Sequence, residues 1–431
     1  MATIIDTDHN RYEVIKMSPY NDAPTNVAIT GQPIATYLSS DPSTKTTNQD
    51  AFGRLRISAP FTLFDSQHRY QENDKWDTEL TSGGTKTYLI NESTLNLSVT
   101  TASGSAVLRE TKRVFPYQPG KSLLVLSTFI MSTGKAGLTQ RVGYYGAQNG
   151  VYLEQKDGAL FIVQRSYVTG AIVNTPIPQS QWNGDKLDGT GASGRTVDVT
   201  KSQIFWTDIE WLGVGDVRVG FVVDGVFVTA HTFHHDNAEV TTYMTTAILP
   251  LRYEIFNTAA TASASTLKQI CSSVISEGGY EGFSRRYNVD TASTPVNLAL
   301  AGTAYPIIAL RLNSTRLDAV VLPSNVNGIV TSNANVQYQI IINPTLTGGT
   351  WNTHYNGTVD YNTTATAVAG GNVIVGGYIG NTGQIDLTGL SNFNFQLGRT
   401  IAGVSDVICL AMTPTTPNTK ILADLSWYEV S

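Results

Sequence analysis

The stretch VRVGFVVDGVFVTAHTF, residues 217–233, constrains this chain more than any other. Two alternating apolar runs flank Asp224-Gly225, and an Asp-Gly pair in that position forms the two-residue loop of a β-hairpin. Both central residues of a type I′ turn need positive φ, which Asp tolerates and Gly adopts freely. The spacing pairs Val223 with Val226. Lys156-Asp157-Gly158-Ala159 repeats the device within GVYLEQKDGALFIVQRSYV. Further short runs, TKTYLINES, STLNLSVTT, SLLVLSTFIM and FWTDIEWLGVG, fill residues 60–285. Many short antiparallel strands over such a length predict a two-sheet sandwich.

Composition agrees. Charged residues are 14% of the 431, and Gly (38), Thr, Ser and Asn are abundant, a mixture that suits strands and turns rather than helices. The chain is long enough for two domains, each with its own core. Residues 1–49 are polar, carry Pro19, Pro24, Pro33 and Pro42 and show no sustained period, so they read as an extended N-terminal anchoring arm. Residues 50–285 form the first sandwich. FSRRYNVDTASTP, residues 283–295, reads as a linker, and strand text resumes within 286–431 for a second, smaller β-sandwich. There YQIIIN and VICLAM are nearly continuous apolar runs, as strands covered on both faces require.

The bulk numbers also exclude. A formal charge of −6 and pI near 5.5 argue against a nucleic-acid partner. No h-region opens the chain and no apolar run approaches a membrane span, so neither export nor membrane insertion is expected. Cys271 and Cys409 read as reduced core residues. No P-loop, dinucleotide fingerprint, G-x-S-x-G elbow or zinc-spaced cysteine pair occurs, and no cofactor is expected.

Three places invite chemistry. His231, His234, His235 and Asp236 cluster in AHTFHHDN, but strand alternation sends His234 away from the other two, and a hairpin terminus explains them without metal. Asp208 and Glu210 share a strand face in FWTDIEW, as two glycosidase carboxylates might be arranged. Jelly-roll glycosidases carry ExDxE; here Trp206 stands in the nucleophile's place, so no catalytic residue is assigned. Trp182, beside the Gly-rich loop 183–194, is the candidate for stacking on a sugar ring.

The segment NQDAFGRLRISAPFTLFDSQHRY, residues 48–70, remains. Arg54, Arg56 and Arg69 offer bidentate bonds to carboxylates, and Phe52, Phe61 and Phe64 offer buried area, the mixture enriched at interface cores. These six are the candidate anchor residues. The alternative is that the segment is the first strand of the sandwich, with its arginines paired internally.

DAFGRLRISAPFTLFDSQHRY, then DKWD and WTDIEWLGVGDVRVGFVVDGVFVTAHTFHHDN, together resemble a recurrent group of virion structural proteins of tailed bacteriophages over residues 50–285. The hairpin is also similar to concanavalin-like and laminin-G-like jelly rolls. The resemblance implies a non-enzymatic capsid decoration, head/neck or tail fibre protein, assembled in the host cytoplasm and carried on the virion. Its implied partners are other virion proteins and further copies of itself, most simply as a trimer. The competing expectation is a receptor-binding or depolymerising fibre that binds host surface polysaccharide.

Overall fold

A computed structural model describes residues 58–278, 285–380, 384–388 and 395–430, with the backbone of two further strands near the N-terminus. Those two, Ala2–Ile5 and Arg11–Val14, pair antiparallel from Ala2↔Val14 to Ile5↔Arg11. They belong to a unit, Met1–Ile57, separate from Ser58–Ser431. Part of the expected arm is thus a hairpin; the rest of residues 1–49, and Phe52, Arg54 and Arg56 beyond it, lie outside the described residues.

The first sandwich consists of two antiparallel sheets. One has seven strands in the order Val173–Pro178, Ala159–Ser166, Gly150–Lys156, Leu138–Tyr145, Leu251–Asn257, Ala106–Thr111 and Trp76–Thr81. The other has eight: Val226–Phe233, Val217–Val223, Gln203–Ile209, Leu123–Ile130, Ser265–Glu277, Thr94–Val99 and Thr85–Leu89, with Pro60–Gln67 also paired to Ser265–Glu277. Alternation along each strand sends one set of side chains between the sheets. Phe129, Phe205 and Phe221 from the second sheet meet Val142, Leu153, Tyr253 and Ile255 from the first in one continuous core.

Both Asp-Gly turns form as the spacing requires. Val223 pairs with Val226, and Lys156 with Ala159. The turn residues have φ of +50° and +78° at Asp224-Gly225, and +50° and +90° at Asp157-Gly158.

The second sandwich has its own core, from Val289 to Trp427. Its six-stranded sheet runs Asn352–Thr353, Val359–Asn362, Tyr305–Leu312, Val407–Pro414, Val336–Ile342 and Asn372–Ile379. The apolar runs noted in sequence, VICLAM and YQIII, are adjacent strands inside it. The five-stranded sheet runs Arg285–Asp290, Thr419–Val430, Val320–Val330 and Gln384–Thr388, with Val296–Leu298 also on Thr419–Val430. Here the linker reading needs correction: Arg285–Asp290 pairs with Glu429–Asp424 and buries Val289, so polar text that alternates around a single valine forms an edge strand.

A loop joins the two sandwiches. Gln396 Nε2 donates to the Val114 carbonyl at 3.1 Å, Arg399 N to the Lys112 carbonyl at 2.8 Å and Ile401 N to Asp77 Oδ2 at 2.7 Å. Arg399 Nη1 also meets Glu110 Oε1 at 3.0 Å.

Both cysteines are free; Cys409 is buried as expected, but Cys271 is exposed. A register shift between Gln269 and Ser272 interrupts the alternation there, which explains why the thiol escapes the core.

Candidate functional site: a polar cleft at the end of the Gln203–Ile209 strand

Strand alternation on Gln203–Ile209 puts Phe205 and Ile209 in the core and leaves Trp206, Asp208 and the following Glu210 on the opposite face. Trp206 does not face solvent. It is 4% exposed, with Phe227 across it at 5.7 Å. Asp208 stands directly across the ladder from Arg218, and the guanidinium Nη2 holds its Oδ2 in an ion pair.

Beyond the strand end the chain turns tightly. Glu210 N donates to the Asp216 carbonyl at 3.0 Å and Gly215 N to the Trp211 carbonyl at 2.8 Å, with Leu212 and Gly213 at φ of +37° and +84°. That turn, with the segment Tyr117 to Ser122, closes a cleft of about 360 Å³ lined by Tyr117, Lys121, Asp208, Glu210, Asp216 and Arg218. Tyr117 is nearly buried, and burial followed by the Glu210 carboxylate pushes its phenol up. Two cations, Lys121 and Arg218, and three carboxylates, Asp208, Glu210 and Asp216, line the cleft.

The histidines stand beside this turn and buttress it. His235 Nδ1 bonds the Gly215 carbonyl at 2.7 Å, and its ring stacks on Tyr243 at 3.7 Å with planes 4° apart. His231 Nδ1 accepts the Asn183 N–H at 3.2 Å, and burial lowers its pKa to about 4. His234 is exposed and pairs with Asp216 Oδ2 at 2.9 Å. Asp216, His234 and Asp236 bring one ligand atom each within 4.8 Å of one another, an arrangement that an ordinary surface ion pair also produces.

Two expected site residues are core residues instead. Trp182 is 2% exposed; its ring stacks on Phe221 and its Nε1 donates to the Ile177 carbonyl at 3.2 Å. The loop after it folds down on Asp185, whose carboxylate accepts Leu187 N at 2.8 Å and Ser193 N at 2.6 Å. No ring face is left for a sugar. Phe64, expected as an interface anchor, packs against Phe115 at 5.0 Å because its strand pairs with Ser265–Glu277 and turns it inward. Phe61 is 40% exposed, and Arg69 is exposed just past the strand end. From Pro60 onward the arginine-aromatic segment is therefore a strand of the sandwich.

Tyr117, Lys121, Asp216 and Arg218 were not singled out from sequence. Arg218 could have been: centring a hairpin on Gly213 in DIEWLGVGDVR sets it opposite Asp208.

The fold defines an antiparallel β-sandwich protein, all-β among its described residues apart from one short 3-10 turn. No family model matches the chain, and no curated protein matches it. Among solved structures it is similar to the carbohydrate recognition domain of Emp47p, at 10% identity over 48% of this chain and 90% of that one, with a TM-score of 0.30. It is similar to a Bacteroides ovatus GH16 protein of a mixed-linkage glucan locus, at 10% identity over 49% and 99%, with a TM-score of 0.34. It is also similar to the CBM2 module of the evolved Dit of Lactobacillus casei BL23 phage J-1, at 6% identity over 52% and 100%, with a TM-score of 0.32.

Proposed function

We propose that the chain is a non-enzymatic structural component of a tailed phage particle, a decoration, head/neck or tail fibre protein. It docks through its N-terminal region and presents the two sandwiches from the virion surface after assembly in the host cytoplasm. The observation that carries the non-enzymatic reading is the Asp208–Arg218 pair. A carboxylate tied to a guanidinium across the ladder is a poor nucleophile, so Asp208 is poorly placed to act with Glu210 on a glycoside. The particle itself enters through the sequence resemblance over residues 50–285. The test is incorporation. Arg54→Ala with Arg56→Ala is expected to leave the soluble protein folded and to remove it from purified particles; unchanged incorporation contradicts docking by that segment.

The cleft favours one alternative, a fibre that binds host polysaccharide through Tyr117, Glu210 and Arg218. Under that reading Glu210→Gln weakens retention on capsule polysaccharide. Lack of any wild-type retention, with no loss of polysaccharide viscosity, removes it.

A further inference from the structure

Asn372–Ile379, NVIVGGYI, is the last strand of the six-stranded sheet and among the described residues pairs on one side only, with Val336–Ile342. Such an edge offers a row of N–H and C=O groups to any strand that approaches, and proteins blunt it with charge, proline, a bulge, shortness or cover. The other ends of the four large sheets use these devices. Trp76–Thr81 has Asp77 and Glu79, Thr85–Leu89 has Lys86, and Val173–Pro178 has Pro176 and Pro178. Arg285–Asp290 has two arginines, Gln384–Thr388 has Asp386, and Asn352–Thr353 is two residues long. Val226–Phe233 carries no carboxylate, lysine or arginine, but its outer side is covered: Gly184 N and Asp185 N donate to the Ala230 and Thr229 carbonyls at 3.0 and 2.8 Å, and Asn183 brackets Thr232.

Asn372–Ile379 has one bulge, opposite Ile340 and Ile341, and, among the described residues, none of the other protections. Three of its apolar side chains face water, Val373 at 52%, Ile374 at 39% and Tyr378 at 75% exposed, while Val375 and Ile379 turn to the core. Two glycines lie within it. Gly377 lies under the Tyr338 ring, and a Cβ there, 2.6 Å from the hydroxyl, would push that side chain aside. Gly376 is not required by the fold, since the nearest atom to its Cβ would be 3.5 Å away. A strand glycine that its own chain does not require fits the close approach of another backbone.

Charge identifies the occupant. Two copies of a protein with formal charge −6 repel, so they meet where the surface is neutral. From Tyr361 to Ile385 the sequence has no charged residue, and this strand lies inside that run. A charged partner would find nothing to pair with there, whereas a second copy matches it apolar for apolar. We propose that Asn372–Ile379 pairs antiparallel with the same strand of a second copy about a two-fold axis, joining two six-stranded sheets into one. This contact gives a dimer rather than the trimer implied by the phage resemblance. It forms in the isolated protein, so it holds or fails independently of the virion reading.

The test is the solution mass of the full chain by light scattering at micromolar concentration, for wild type, Ile374→Lys, Tyr378→Lys and the control Val240→Lys. Val240 is fully exposed on the first sandwich. The proposal expects twice the chain mass for wild type and the control, and the single-chain mass for both edge variants with unaltered circular dichroism. A wild-type monomer, a trimer, or a dimer that survives both edge substitutions overturns it. Should either lysine variant misfold, Gly376→Val, which has room within its own chain, reads the same contact.

Discussion

Arg109 is fully buried, and four groups receive it: Gln269 Oε1 at 2.6 Å, Glu72 Oε1 at 2.7 Å, Thr78 Oγ1 at 2.6 Å and the Asn73 carbonyl at 3.3 Å. Burial lowers its pKa to about 10, so it stays charged at neutral pH. Breaking a fully buried ion pair from one side typically costs about 3–5 kcal/mol; here Glu72 is partly exposed and keeps Lys86 at 2.6 Å, so the loss falls mainly on the buried Gln269 and Thr78 acceptors and is expected toward the lower end of that range. Arg109→Leu is therefore expected to lower the urea midpoint strongly with an unchanged slope; a loss below about 1 kcal/mol, the range of surface pairs, would mean that the network is not needed for stability. Two histidines set a pH dependence. His68 and His231 are both lowered to about 4, burial being the larger cause, and the Nδ1 of each accepts a backbone N–H, from Asn73 and Asn183. A proton there removes the acceptor. Because the folded pKa lies below the ordinary 6.5, the unfolded chain takes up protons first as pH falls. Their contribution is complete above about pH 6.5 and shrinks toward pH 4. Thermal melts between these limits should show Tm falling with pH, less steeply in His231→Gln; a flat profile contradicts the assignment.

The 217–233 hairpin holds two glycines for different reasons. Gly225 has φ of +78° and nothing near its missing Cβ, so alanine there meets only backbone strain of about 1–2 kcal/mol. Gly220 sits across from Trp206, and a Cβ would stand 1.9 Å from the Val228 carbonyl oxygen. That neighbour is backbone and cannot step aside, so Gly220→Ala is expected to be the more destabilising; the reverse order in chemical denaturation would refute this reading. The comparison also marks how far sequence reaches. Hairpins were legible because turn chemistry and alternation are local: Asp224-Gly225 fixed both the turn and the Val223–Val226 register. The burial of Trp182 and Phe64 was not legible, since polar neighbours and a Gly-rich loop say nothing about Phe221 or Phe115 waiting on other strands. The cleft was half legible. Asp208 and Glu210 stood out by spacing, but Tyr117 and Lys121 arrive from a segment far away in sequence.

Across the whole molecule, buried charge serves as joinery. Glu110, 1% exposed, holds Arg252 of its own sheet and Arg399 of the second sandwich. With the hydrogen bonds of Gln396 Nε2, Arg399 N and Ile401 N across the joint, these ion pairs are expected to couple the unfolding of the two cores. Wild-type protein should melt in one calorimetric transition, and Arg399→Ala with Asp77→Ala should separate it into two; two transitions in wild type would show that the joint does not couple them. Under the proposed function the chain is a stoichiometric part of a phage particle. The most direct measurement is therefore the copy number of this chain in gradient-purified phage particles, by quantitative mass spectrometry against a major capsid protein. The account predicts a fixed, symmetry-related number of copies per particle. Recovery of the chain only in the soluble lysate, with none on the particles, would contradict it.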